Sequence, residues 1–421
     1  MNILITNMYT HRNKGDAAIL LALIEEAKRV FGADSKIQVQ TADPGDKGKF
    51  GTETSSTLLW ILLSSVRNKS IPARVARLGL GTVTLILYLM IFHLFRRKAS
   101  FILSRDLRGY VKDIHDSDMV IATGGGYLNT SDSSLHETVL LAVTVINFIA
   151  GIYLNKPVFV YSVSVGPLYS GLQRAILKFA LNRAKLVETR EELSLDFVKK
   201  LGVTAPSLLT ADAALLLGQF SRPSSIVIPR SNRLNVGLTV RKWFKTEREF
   251  EAYIAALSDA VDYLIDHHNA EIYCLPQVIA DNFDDDDRLM AKRIKDRSKY
   301  PERIHVVEDD LHPFEIIGIC SKLDFLIGTR MHSTIFSLVS NVPVIGIACE
   351  HKTTGLLKGL GIEEFSINVK DLSAEKLQEK VDLLINHRTE IEDRIGKNME
   401  GQISRGKRAM EAIGEAFTPS A

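Results

Sequence analysis

Cysteine is scarce in this chain, with three among 421 residues: Cys274, Cys320 and Cys349. They lie in or beside apolar runs and lack the close pairing of a zinc or redox motif. A disulfide-stapled scaffold is thereby excluded, and the three read as small buried hydrophobes in a reducing compartment. Net charge is nearly absent as well, at +2 from 52 Lys+Arg and 50 Asp+Glu, so there is no basic footprint for nucleic acid and no nucleic-acid partner is expected. The longest acidic run, Asp284–Asp287, reads as a solvated loop rather than a metal site. A basic leader is missing too. The opening MNILITN reads as a first strand, which places the protein in the cytoplasm. Disorder is excluded by a content of 46% hydrophobic and 24% charged residues, enough for two domains with cores of their own.

What the chain does have is alternation of short β-branched runs with helical patterns. Strands are expected near Ile3–Thr6, Ile37–Thr41, Met119–Ala122, Val158–Val163 and Leu186–Thr189, then near Val236–Val240, Ile272–Leu275, Ile304–Val307, Phe325–Ile327 and Val344–Ile347. A Ser, Pro and Arg-rich stretch, Ser221–Arg233, separates the two sets. The expected fold is α/β, two Rossmann-like doubly wound domains facing a cleft. The domains are 1–220, 221–372 and a helical C-terminal part, 373–421, that covers a sheet or bridges the domains.

An apolar insert, about 57–103, interrupts the first domain. Leu78–Phe95 is an uncharged run flanked by Arg77 and by Arg96, Arg97 and Lys98. It is long enough to be a membrane-span candidate. A single crossing would put strands of one sheet on opposite sides of a bilayer. The insert is therefore expected to lie in the cytoplasmic leaflet, peripheral or monotopic, with Arg67, Lys69, Arg74, Arg77, Arg96, Arg97 and Lys98 on lipid phosphates. The competing reading is a pair of helices that covers an apolar face or makes a dimer interface.

Polar residues collect just after the strands, where open α/β sheets bind ligands. In the second half GTRMHS (Gly328–Ser333) follows one strand, Glu350, His351 and Lys352 follow the next, and Arg241 follows a third. Arg241 and Arg330 should be neighbours on one rim, and two guanidinium forks suit a ligand that carries both a carboxylate and a phosphate. A lone histidine beside an apolar helix is usually structural. His332, however, sits at a strand-to-helix junction with Arg330, where an imidazole that titrates near neutrality can move protons. In the first half the landmarks are Asn13, Gly15 and Asp16 in NKGDAAIL, where Asp16 is either a helix cap or a ligand group. Further along are Gly124, Gly125 and Gly126, placed near a helix start and lacking the spacing of a dinucleotide fingerprint, and then Arg190, which is a ligand group or a salt bridge to Glu191 or Asp212.

Taken together, NKGDAAIL, the triple glycine, SVGP (Ser164–Pro167), Arg190-Glu191, Asp212, GTRMHS and Pro343–Gly361 with Glu350 and Lys352 resemble the polysaccharide pyruvyl transferases, in the branch of colanic-acid-type exopolysaccharide synthesis. The resemblance covers most of the chain and implies a fold similar to the GT-B glycosyltransferases. It also implies transfer of the pyruvyl group of phosphoenolpyruvate onto two sugar hydroxyls as a cyclic ketal, in exopolysaccharide or cell-surface glycan (capsule) biosynthesis. No cofactor and no metal are expected, phosphoenolpyruvate being the co-substrate. In this reading Arg330, Arg241 and Lys352, with Glu350 and Arg190, form the donor side, and His332 moves the proton. Asn13, Gly15, Asp16 and Gly124–Gly126 hold the acceptor, a sugar or lipid-linked oligosaccharide, with Asp16 or Glu350 as base. The partner surface is the cytoplasmic membrane. The alternatives are a GT-B glycosyltransferase using a nucleotide sugar and a catalytically silent, membrane-tethered scaffold of polysaccharide synthesis.

Overall fold

The computed structural model describes residues 1–64, 71–95, 100–220, 226, 228–229, 232–244, 246–280 and 285–417. The chain divides into two compact units. The first comprises Met1–His11, Ile19–Ala213 and Arg405–Ala421, and the second Arg12–Ala18 and Ala214–Ser404.

In the first unit the strands are β1 (Asn2–Met8), β2 (Lys36–Thr41), β3 (Glu53–Ser56), β4 (Met119–Ala122), β5 (Gly125–Leu128), β6 (Val158–Val165), β7 (Leu186–Thr189) and β8 (Ser207–Leu209). They form one parallel sheet in the order β3-β2-β1-β4-β6-β7-β8, with β5 paired to β6. All eight residues of β6 are buried, the mark of a strand covered on both faces, and this is why its sequence runs apolar instead of alternating. The second unit has β9 (Leu234–Thr239), β10 (Ala270–Cys274), β11 (Ile304–Val306), β12 (Phe325–Gly328), β13 (Val344–Ala348) and β14 (Ser366–Asn368). Their order is β11-β10-β9-β12-β13-β14, again parallel. The order of each sheet reverses beside its first strand, as in doubly wound folds. Both sheets end on short edges: β3 has four residues, and β8, β11 and β14 three each.

Several elements differ from the expectation. Gly124–Gly126 do not open a helix: Gly125, at φ +129°, turns the chain into β5, and the next helix begins only at Leu135. The insert forms two helices, Leu58–Ser64 and Ile71–Phe95. Leu58, Ile61, Leu62, Leu85, Tyr88 and Leu89 join the core of the first unit, and Tyr88 Oη bonds His115 Nε2 at 2.8 Å. The other face of Ile71–Phe95 is open, with Leu80, Leu94 and Phe95 64–67% exposed. Of the basic residues assigned to lipid phosphates, Arg67, Lys69, Arg96, Arg97 and Lys98 and the side chain of Arg74 lie outside the described residues. Among the described residues, helix Leu135–Tyr153 is long and apolar enough to cross a membrane by composition, whereas the apolar part of the insert's second helix, Gly79–Phe95, is shorter. The buried residues of Leu135–Tyr153, among them Leu141, Val145 and Phe148, pack into the core, as in a helix that covers a sheet. The C-terminal part is the helices Ala374–Asn386 and Arg388–Ala416, whose buried Leu377, Val381, Leu384, Ile391 and Ile395 recur at helical spacing.

One acid in the first unit, Glu188, is buried with little compensation. Glu188 on β7 is fully covered, and neither carboxyl oxygen has a hydrogen-bond partner among the described residues. Burial pushes this carboxyl well above its ordinary range, against weaker help from the Ser162 amide and Arg408. The folded chain thus keeps a proton that the unfolded chain releases, so stability falls as pH rises above the ordinary carboxyl range. Glu188→Gln is expected to raise the melting temperature near neutral pH and above. Thermal unfolding followed over a pH series should show that gain shrinking towards the acid side, where both forms are uncharged.

Candidate active site

The second unit builds its polar cluster at the carboxyl ends of β9, β10, β12 and β13. After β12 the chain turns through Thr329, whose N–H donates to Thr239 O and Oγ1 at 3.2 Å, and starts the helix Met331–Leu338. Ser333 Oγ donates to Arg330 O at 2.6 Å and lies 2.7 Å from Thr239 Oγ1. The turn that presents Arg330 and His332 is therefore pinned to β9. Tyr253 adds a second tie: its hydroxyl accepts from Arg241 N at 3.4 Å and lies 2.9 Å from Thr329 Oγ1. Arg241 and Arg330 thus leave adjacent strand ends, as expected from their spacing.

Arg330 is held by two carboxylates of its own unit. Its Nε and Nη2 donate to Asp287 Oδ1 at 3.3 and 2.7 Å, and Nη2 also to Asp285 at 3.0 Å. Burial works against the guanidinium charge, but Asp287 and Asp285 outweigh it and hold the proton more tightly than usual. Asp287, 2% exposed, also accepts from the N–H groups of Gln277 and Val278 at 2.9 Å each. Burial pushes its carboxyl above the ordinary aspartate value despite Arg330 and those amides. These contacts correct the reading of Asp284–Asp287 as a solvated loop: Asp286 and Asp287 are buried, Asp286 bonding Arg288, and Asp284 lies outside the described residues. Arg330 Nη1 makes no hydrogen bond among the described residues.

Arg241 is freer. Its guanidinium stacks over Trp243 at 4.9 Å, approaches Glu350 Oε1 only to 4.0 Å, and has a buried Nε without a hydrogen-bond partner among the described residues. Glu350 follows β13 and pairs with Lys352 Nζ at 3.1 Å. Burial pushes the Glu350 carboxyl up, but Lys352 and Arg241 outweigh it and hold the group below the usual carboxylate range. It is a carboxylate at neutral pH and a weak base. Cys349, next to it, is pushed up to about 11 by burial, which Arg241 only partly offsets, so it is no thiolate nucleophile.

The NKGD segment is where the structure departs most from the expected division of labour. Arg12–Ala18 clusters with the second unit and not with the first. Asn13 forms an antiparallel bridge with Val278, Lys14 N–H donates to Gln277 O at 2.9 Å, and Ile279 N–H to Arg12 O at 3.1 Å. Asn13 Oδ1 accepts from Gly15 N at 3.1 Å at the start of the helix Lys14–Phe31, with Asp16 in its first turn. Gly15 lies under the His332 ring: a Cβ there would stand 2.1 Å from Nδ1. Glycine is required here for close approach. Lys14, unnoticed in the sequence, is 2% exposed and ion-paired to Asp310. Gly15 therefore lies against His332, and Asn13 and Asp16 fall with it in the same unit as the arginines.

Arg190 goes elsewhere. In the first unit its guanidinium, 4% exposed, bonds Asp212 at 2.6 Å and Ser164 Oγ at 2.8 Å and lies 3.4 Å from Glu191. This is the salt-bridge reading, a tie between the ends of β6 and β7 and the segment after β8, made in the first unit whereas Arg241 and Arg330 lie in the second. Gly124–Gly126 also lie in the first unit, Gly124 packed against Ile19 and the carbonyls of Tyr161 and Ser162. A feature hidden by sequence separation is the trio His11, Asp43 and Asp46, whose ligand atoms lie within 4.8 Å of one another. Asp46 is already occupied by the His11 amide at 2.8 Å, His11 Nδ1 at 2.6 Å and Thr41.

Strand-end arginines, a histidine against a glycine, and two doubly wound units define an α/β protein of two open parallel sheets, which comparison with known proteins narrows. Residues 13–351 match the polysaccharide pyruvyl transferase family, and the chain belongs to it. It is 24% identical to the amylovoran biosynthesis protein AmsJ of Erwinia amylovora over 95% of this chain and 96% of that one. Among solved structures it is similar in fold to S. aureus MnaA with UDP (TM-score 0.58, 12% identity, 98% and 95% of the chains). A UDP-GlcNAc 2-epimerase from Neisseria meningitidis (0.57, 11%, 99% and 100%) and the spinosyn rhamnosyltransferase SpnG (0.51, 11%, 99% and 100%) are similar as well. The fold is GT-B-like.

The Gly15–His332 contact makes a direct test. Gly15→Ala is expected to displace the imidazole and cost about 1–3 kcal/mol in urea unfolding, the usual range for overpacking. In a His332→Ala background the same change should cost nothing or stabilise by about 0.4–1 kcal/mol, as alanine does where its conformation is allowed.

Proposed function

We propose that this protein transfers the pyruvyl group of phosphoenolpyruvate onto a sugar as a cyclic ketal in exopolysaccharide synthesis. The carrying observation is that Arg241 and Arg330 leave neighbouring strand ends beside His332, each with N–H donors that no described residue uses. A donor with a carboxylate and a phosphate matches two such forks, since each binds a pair of oxygens in one plane. Lys352, already paired to Glu350, adds positive charge at the rim. AmsJ is named for amylovoran biosynthesis, which favours an exopolysaccharide as the product.

The chemistry balances with residues of this chain and no redox partner. One sugar hydroxyl adds to C2 of phosphoenolpyruvate while a proton reaches C3, making it a methyl group. The second hydroxyl then bonds to C2 as the C–O bond to phosphate breaks, and its proton leaves with the phosphate or passes to a base. His332 supplies or accepts these protons, and the arginines hold C2 in place and offset the charge of the departing phosphate. Glu350 is a weak base because Lys352 and Arg241 lower its basicity, which leaves Asp16, next to Gly15, as the other candidate base. Asp287 is a positioning residue: it orients Arg330 from behind. The exposed apolar face of Ile71–Phe95 fits work at the cytoplasmic membrane surface on a lipid-linked acceptor.

A nucleotide-sugar donor is the second reading, favoured by the fold's likeness to the UDP-bound MnaA structure. Ligand-induced thermal shifts separate the two. Phosphoenolpyruvate, and not UDP, is expected to raise the melting temperature, and Arg241→Gln should abolish that shift. With phosphoenolpyruvate and a panel of glycosides, phosphate release should accompany a mass gain on the sugar. His332→Ala should lower turnover by at least about 100-fold, the lower range for a lost general acid–base, with unchanged circular dichroism. Stabilisation by UDP alone, or near-normal turnover of His332→Ala, would overturn the reading.

A further inference from the structure

The first unit carries a groove that the chemistry above does not use, between the helices Ile71–Phe95, Leu135–Tyr153 and Gly171–Leu181. Its volume is about 500 Å³ and its lining is hydrocarbon, including Ile86, Met90, Val145, Ile149, Ile176 and Phe179. From Ala142 to Tyr153 it follows the middle helix for about 16 Å at the usual helical rise. One leaflet's share of bilayer hydrocarbon is close to that, about 15 Å. Other apolar residues of the same helices are exposed, Val83 54% and Leu87 48% on Ile71–Phe95 and Val139 42% on Leu135–Tyr153. At one edge Arg183, a turn beyond Phe179, lays its guanidinium over that ring at 3.7 Å and donates only to the Phe179 carbonyl, with no acidic partner among the described residues.

We propose that this groove seats one acyl chain of an anionic phospholipid, with Arg183 at the lipid phosphate. The inference deepens the membrane part of the proposed function and rests on it. A flat apolar face would suffice for contact with a bilayer surface. A concavity one leaflet long, lined by apolar side chains and edged by a cation with no acidic partner among the described residues, matches a single chain that ends in a phosphate.

The full chain is mixed with phosphatidylcholine vesicles containing phosphatidylglycerol that bears a photoreactive diazirine on one acyl chain, irradiated, and mapped by mass spectrometry. Label is expected on the peptides around Ile86–Met90, Ala142–Tyr153 and Ala175–Phe179. Ala175 lines the groove from an exposed position, so Ala175→Trp should fill the groove without unfolding the unit and reduce that label at least ten-fold. Arg183→Gln should lower partition onto the anionic vesicles about five-fold, one cation's worth of surface attraction, and leave neutral vesicles unaffected. Label confined to Leu80, Leu87 and Leu94 and indifferent to Ala175→Trp would overturn the proposal in favour of flat contact. Displacement of the label by stoichiometric polyprenyl phosphate would overturn it in favour of an isoprenoid. A dimer that Ala175→Trp dissociates, with no label on either form, would overturn it in favour of self-association. Labelling needs neither phosphoenolpyruvate nor sugar: a protein that labels but transfers nothing sinks the donor reading, and one that transfers but does not label sinks this one.

Discussion

The ion pair between Asp287 and Arg330 is the interaction on which the candidate site depends. A buried guanidinium is tolerated only with its charge and its N–H donors answered. Asp287 supplies that answer while taking two backbone amides from the segment after β10. One carboxylate thus couples the ends of two strands on either side of β9. Because Asp287 and Asp285 use Nε and Nη2, the guanidinium keeps a fixed attitude and a spare nitrogen. Orientation and availability are obtained together, as preorganised anion sites require.

The same region shows what a linear reading can and cannot reach. Arg241, Arg330, Glu350 and Lys352 were legible because each directly follows a β-branched run, and a parallel sheet brings such ends to one edge. Asp287 was not, since four consecutive aspartates look solvated and its partner is 43 residues away. Lys14 was hidden in the same way, its charge answered by Asp310 after a gap of 296 residues. The NKGD motif was singled out in the sequence but assigned to the first domain, whereas the segment clusters with the second unit. Its strand β1 belongs to the first sheet, whereas the backbone from Arg12 to Ala18 bonds to Gln277, Val278 and Ile279. Strand periodicity carries no trace of that bridge.

The fold itself was largely legible, and the misses share a cause. β3, β5, β8 and β14 are three or four residues long, three of them beginning or ending in polar residues, and hydrophobic runs do not mark them. The apolar insert was recognised as odd by composition. Only packing reveals that it is two-sided, with Leu85, Tyr88 and Leu89 in the core and Leu80, Leu94 and Phe95 outside. A helix that is apolar all round and still half-covered has a free face that water pays for poorly, and this separates it from Leu135–Tyr153, whose apolar character serves the sheet.

The stubby margins of the two sheets have a bearing on how the chain survives its own synthesis. A parallel sheet is assembled late from distant segments, and long unpaired borders would then offer a template for other nascent copies. Borders of three or four residues give a neighbouring molecule too few main-chain groups to build a ladder, so a protein that displays so much greasy surface elsewhere is guarded against fibrillar stacking through its strands.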